Sequence, residues 1–145
     1  MTYKKFRVAL YVTGLLAIAI LAAGCTEANQ PGQIELSATE FDFGTIPNTH
    51  PVSQSFQVTN VGRGPLEISS VSTSCGCTTA EVTDRRLETG EVTDLMVTSN
   101  PLIHKGQTGR FQRVVYIRSD DPDAAEVSLN FNVTVVNPQT LEETS

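Results

Sequence analysis

The chain contains no tryptophan, two histidines and three cysteines in 145 residues. Cys75 and Cys77 stand one residue apart. Without tryptophan, and with its cysteines so close, the chain cannot build the Cys…Trp…Cys arrangement of antibody domains, so a disulfide of that kind between two sheets is excluded. No Cys-x-x-Cys lies at a helix start and no α/β alternation surrounds the thiols, which argues against a thioredoxin-like oxidoreductase. Nothing recurs at helical period, and internal repeats are absent. Basic residues are also scarce: 10 Lys and Arg stand against 16 Asp and Glu, a net charge of −6. Such a balance offers no electrostatic footprint for nucleic acid.

One long apolar run is present, and it comes first. Lys4, Lys5 and Arg7 precede an almost unbroken apolar stretch from Val8 to Ala23, which ends in small residues before Cys25. Residues 1–24 therefore read as a secretory signal peptide, too short for a stable membrane span. Leu21-Ala22-Ala23-Gly24-Cys25 resembles a bacterial lipobox, with the usual leucine displaced one place back. The resemblance implies cleavage before Cys25 and lipidation of its sulfur, with residues 25–33 as a polar tether. Loss of the leader leaves 7 basic and 16 acidic residues, net −9. A surface of that sign is repelled by anionic lipid. Attachment must then come from acyl chains, at about 0.8 kcal/mol per buried CH₂.

From residue 34 the chain alternates with period two between clusters of Gly, Pro, Asn and Asp, the pattern of a β-sandwich. Ile34–Leu36 and Phe41–Gly44 suggest one strand broken by a kink. Val52, Phe56 and Val58 share a face opposite Ser53, Ser55, Gln57 and Thr59. Leu66 and Ile68 open a strand that runs through Val71 into the Cys-Gly-Cys segment. Leu95 and Val97 are the inward pair of the strand Glu91–Thr98, and Phe111, Val115 and Ile117 mark another. The last is the cleanest, with Val127, Leu129, Phe131, Val133 and Val135 inward. The fold expected over 34–136 is an immunoglobulin-like antiparallel β-sandwich of about seven strands, with 137–145 a frayed tail.

Phe41-Asp42-Phe43-Gly44, Thr59-Asn60-Val61-Gly62, Pro65-Leu66-Glu67-Ile68 and Ser74-Cys75-Gly76-Cys77-Thr78 occur in an order that resembles an uncharacterised bacterial family, the Cys-Gly-Cys-Thr domain family. Members are often exported, and the resemblance implies an immunoglobulin-like fold related to the Hydin and abnormal-spindle domains. It covers about residues 34–136. A departure lies at Glu88-Thr89-Gly90-Glu91, where a Pro-Gly turn is expected and proline is missing. The family has no agreed activity, so the resemblance informs the fold and leaves function open.

Cys75 and Cys77 can do three things. A disulfide needs their Cα atoms within about 6.8 Å, so the chain must bend, and Gly76 permits a bend with positive φ. Such a bridge closes too small a loop to stabilise the fold much, and a strained one is easily reduced. Alternatively, two thiolates can hold Cu(I), or Zn²⁺ with two more ligands. His50 and His104, both in loop-like stretches, are the candidates for those positions. Thirdly, both cysteines have the same parity and can simply be small core residues. Asp120, Asp121, Asp123 and Glu126 lack the ligand order of an EF-hand and read as a solvated acidic turn.

No base is assembled beside a nucleophile, so a catalytic site is not expected. The reading is a non-enzymatic, lipid-anchored protein of the bacterial cell envelope, without a resident cofactor. Its sandwich binds or scaffolds another envelope protein or a glycan, through loops or strand addition. Thr26 after the lipid-bearing position favours the outer membrane, facing the periplasm, in a two-membrane cell. The alternative is a copper-, zinc- or thiol-redox protein acting through Cys75 and Cys77.

Overall fold

A computed structural model describes residues 30–104 and 107–140. The expected signal peptide, Cys25 and the first part of the tether lie outside those residues, as do residues 141–145. Among the described residues, nine strands form two sheets. One sheet is ordered β1 (Ile34–Leu36), β3 (Val52–Asn60), β7 (Val92–Ser99), β5 (Thr78–Val82). The other is ordered β2 (Glu40–Pro47), β9 (Glu126–Val136), β8 (Gly109–Ser119), β4 (Leu66–Thr73), β6 (Arg86–Leu87).

The alternation in sequence becomes burial in space. Phe56 and Val58 of β3, Leu95 and Val97 of β7, Val115 and Ile117 of β8, and Leu129, Phe131, Val133 and Val135 of β9 are all buried between the sheets. Side chains of a strand alternate faces, so a run of apolar residues two apart can be hidden by one partner layer. Phe41 and Phe43 add two half-buried rings to the core, and Phe41 reaches across to the other sheet. Phe41 meets Phe56 and Phe43 meets Phe131 edge to face, with centroids 5.2 Å apart in each case. Such pairs contribute about 0.5–1.5 kcal/mol beyond their area.

The expected kinked first strand is instead two strands in different sheets. β1 pairs antiparallel with β3, and β2 then crosses to run parallel to β9. A bulge between Asp42 and Thr45 carries Gly44 at φ 71°, with the Gly44 N–H held by Asp42 Oδ1 at 2.7 Å. A left-handed residue is cheap only as glycine. The fourth strand also departs from expectation, because it stops at Thr73, short of the Cys-Gly-Cys segment. A register shift between Ile68 and Ser70 moves its inward set from Leu66 and Ile68 to Val71 and Thr73. After a turn at 74–77 the chain enters β5 in the opposite sheet, pairing Thr78 with Ser99 and Val82 with Leu95.

Three further segments are more ordered than their composition suggested. Gln30–Gln33 pack against the loop 62–66: Gly32 is buried, and a Cβ at Gly64 would fall 1.8 Å from the Gln30 carbonyl oxygen. Within the span 137–145 read as a tail, Pro138–Thr140 form a 3₁₀ turn. Asp121, expected on a solvated acidic turn, is only 3% exposed. Its Oδ2 accepts the Ile34 N–H at 2.8 Å, and its Oδ1 accepts those of Asp123 and Ala124 at 2.8 and 3.1 Å. Burial pushes the Asp121 pKa up, but these three backbone donors outweigh it and hold the carboxyl below its ordinary range.

Candidate functional site

The strand directions put the Cys-Gly-Cys turn at one end of the sandwich and the incoming chain at the other. Ile34 lies opposite Asn60 at the C-terminal end of β3, whereas Thr78 lies level with Val52 across β7 at the N-terminal end of β3. The distal end therefore gathers the turn 74–77, the β2–β3 turn with His50, and the β7–β8 connection with His104.

The turn is held from three sides. The Thr78 N–H donates to the Cys75 carbonyl at 3.1 Å, closing a four-residue reversal. Ser74 exchanges two bonds with Val114: its N–H donates to the Val114 carbonyl at 2.9 Å, and its Oγ accepts the Val114 N–H at 3.0 Å. The Asn100 N–H donates to the Cys77 carbonyl at 2.8 Å, tying the turn to the chain just beyond β7. The Thr73 hydroxyl lies 3.0 Å from both the Cys75 and the Thr78 carbonyl oxygens.

Within this frame Cys75 and Cys77 form a disulfide, with Cα atoms 5.3 Å apart. The bend does not come from a left-handed glycine. Positive φ is found at Gly44, Gly90 and Gly109, not at Gly76, and a Cβ on Gly76 would meet nothing within 4 Å. The parity argument for two core thiols lapses for the same reason, since the segment is a turn and not a strand. It leaves the sulfurs unequal: Cys77 is 6% exposed and Cys75 is half-buried.

The side chain beside the buried sulfur is Arg113. Its Nε–H points at Cys77 Sγ from 3.3 Å, and its guanidinium carbon stands 4.9 Å from the centre of the Phe111 ring. Among the described residues no carboxylate pairs with it; the ion pairs engage Arg86, Arg110 and Arg118. A hollow opens next to the disulfide, walled by Cys77, Pro101, Phe111, Arg113, Val133 and Val135. The sequence reading passed over Arg113, although it shares the parity of Phe111, Val115 and Ile117. A guanidinium at an inward position of a strand was the available signal.

His50 and His104 are the histidines proposed as further metal ligands. His50 is exposed, with its Nδ1 3.2 Å from the Thr49 hydroxyl. His104 ends the 3₁₀ turn Pro101–His104. No cluster of three or more His, Cys, Asp or Glu side chains is found among the described residues. In the disulfide neither sulfur carries the thiolate charge that a soft ion requires. In the acidic segment, Asp120 Oδ1 accepts the Glu67 N–H at 2.8 Å and Glu126 pairs with Arg118 at 2.6 Å.

Two packed sheets with this strand order form an immunoglobulin-like β-sandwich. Its likeness to the ASH/PapD-like domain 7 of human CEP192 has a TM-score of 0.51 at 10% identity, over 72% of this chain and 84% of that one. The chain itself belongs to the family described as "Protein of unknown function (DUF1573)", whose model matches residues 34–135. It is also similar to a protein of unknown function from Porphyromonas gingivalis W83, with 25% identity and a TM-score of 0.65, over 71% of this chain. The match spans 46% of that protein's length. The VesB protease of Vibrio cholerae contains a similar fold at 17% identity and a TM-score of 0.54, over 71% of this chain and 31% of the protease. At that identity the likeness concerns the fold alone. No curated protein matches the chain.

Proposed function

We propose that this protein is a non-enzymatic binding module held on the bacterial envelope by a lipid on Cys25, and that it presents the Cys75–Cys77 end of its sandwich to another envelope protein or a glycan. The observation that carries this reading is the opposition of the two ends. Cys25 stands five positions before Gln30, and Gln30–Ile34 enter beside Asn60 and Asp121. β9 has 11 residues, a length of about 35 Å. A chain tethered at Cys25 thus holds its disulfide turn and flanking loops on the side away from the lipid. Two exposed apolar side chains, Leu102 and Ile103, lie at that same end. Strand addition has a candidate edge too. β1 covers β3 only from Val58 to Asn60, which leaves the outer side of Val52–Ser55 without a strand partner among the described residues.

The test uses the full chain in its own cell. Mass spectrometry of the mature amino-terminal peptide is expected to find diacylglycerol on Cys25 of the wild type and no lipid on the Cys25→Ser protein. A photo-crosslinking residue at Leu102 or Ser53 is expected to capture a discrete partner, while one at Glu88, near the opposite end, captures none. An unmodified Cys25 in the wild type would remove the anchor from the proposal. Equal capture at both ends would remove the oriented binding face.

A further inference from the structure

We propose that Cys75–Cys77 is a site of thiol–disulfide exchange, in which a partner protein's cysteine thiolate attacks Cys75 and Cys77 is the sulfur that leaves, its charge received by Arg113. This goes beyond the binding reading and does not depend on it.

Three observations assign the roles. First, the sulfurs differ in access: Cys75 is half-buried between exposed Ser74 and Gly76, and Cys77 is buried. A nucleophile must reach the attacked sulfur in line with the S–S bond, and the more exposed residue, Cys75, is the one more open to it. Secondly, the sulfurs differ in electrostatics: Cys75 Sγ accepts a neutral backbone donor, the Cys77 N–H at 3.1 Å, whereas a cation faces Cys77 Sγ. Burial disfavours a thiolate at Cys77, but the Arg113 Nε–H lies 3.3 Å from that sulfur. A guanidinium stays protonated at any pH a protein meets, and a cation beside a thiol lowers its pKa. Exchange is faster the lower the pKa of the leaving thiol. Thirdly, Arg113 is available for this duty. Among the described residues it bonds, besides the sulfur, only the Gln112 carbonyl, at 2.9 Å, and it lies against Phe111. The Asn100 and Val114 backbone contacts hold the turn in place while the sulfurs exchange.

The chemistry balances as two displacements. A partner thiolate forms a bond to Cys75 Sγ, the Cys75–Cys77 bond breaks, and the electron pair stays on Cys77 beside Arg113. If the partner carries a second thiol, that thiol loses its proton and attacks the partner's first sulfur. Cys75 then leaves as thiolate and takes a proton from water. The partner dithiol is oxidised by two electrons and the Cys75–Cys77 pair is reduced.

The probe is 2-mercaptoethanol, which carries no charge besides that of its attacking thiolate. Oxidised full-length protein is treated, acid-quenched, capped with maleimide and mapped by peptide mass. The expected intermediate carries 2-mercaptoethanol on Cys75 and maleimide on Cys77. The reverse pattern, or no reduction while the fold persists by circular dichroism, overturns the proposal. The wild-type map requires no substitution, so it stands even if a variant misfolds. Arg113→Gln is expected to slow the first displacement about threefold to tenfold, and Arg113→Lys to recover part of that rate. Equal rates in wild type and Arg113→Gln overturn the role given to Arg113. Partner capture at Leu102 by a Cys75→Ser, Cys77→Ser protein reports on the binding reading separately.

Discussion

The two ends of the sandwich are both rich in polar groups, yet they use them differently. At the end where the chain enters, Asn60 is fully buried and its amide is consumed entirely by backbone. Its Nδ2 donates to the Gly64 and Leu87 carbonyls at 2.8 and 2.9 Å, and its Oδ1 accepts the N–H groups of Gln33 and Gly62 at 3.1 and 3.0 Å. Asp121 is likewise spent on three backbone donors. Glycines at 32, 62 and 64 let the strands of chain approach closely enough for these bonds. At the far end, the Arg113 guanidinium is directed at a sulfur that can change its charge. A satisfied buried amide locks loops together, because breaking any one bond strands a desolvated partner. A guanidinium aimed at a neutral disulfide gains more when that sulfur becomes anionic. The first arrangement stabilises one state, and the second favours a reaction.

Substitutions at the entry end should therefore cost the most. Asn60→Ala strands two donors and two acceptors and is expected to destabilise the protein by about 3 kcal/mol or more, read as a lower urea midpoint. A loss below about 1 kcal/mol would mean that water replaces the amide and that the contrast between the ends is weaker than drawn.

Asp121→Asn comes next. It sets an amide NH₂ against one of the backbone donors, and about 1.5–3 kcal/mol should be lost at neutral pH. The pH profile sharpens the point. The folded-state pKa of Asp121 is lowered, so its contribution is complete above the unfolded carboxyl value, about 3.9. It is lost as pH falls through the folded value. Denaturant titration between pH 7 and pH 2 should show the wild type losing this increment in acid and converging on the variant. A constant gap across that range would exclude the carboxylate as its source.

The smallest effect is expected at the tip. With no positive φ and no neighbour near its Cβ position, Gly76→Ala should change stability by less than about 0.5 kcal/mol. A larger loss would show that the turn visits a left-handed conformation, for instance when the disulfide is reduced.

How much was legible in advance follows from the range of each interaction. Period two along Leu129, Phe131, Val133 and Val135 is a local property of the chain, and it suffices to say that a second layer must cover that face. The two-sheet fold was readable on those terms. Whether Ile34–Leu36 and Phe41–Gly44 belong to one sheet was not, because a bulge and a crossover cost little locally and are chosen by which neighbour, β3 or β9, lies within reach. β5 was hidden because Thr78-Thr79-Ala80-Glu81-Val82 is only weakly apolar. It is a strand because β7 offers it an edge.

The site divides in the same way. Sequence alone determined that two cysteines sit one residue apart and within reach of one another, since chain connectivity sets that distance. Only tertiary structure decided that one sulfur is buried and the other is not, and that Arg113, 36 positions further on, stands beside the buried one. It also decided that Asn60 and Asp121 are structural, though composition marks them as turn residues. Hydrogen-bond and charge partners so distant in sequence are selected by how two sheets stack, and no local pattern of residue types encodes that stacking.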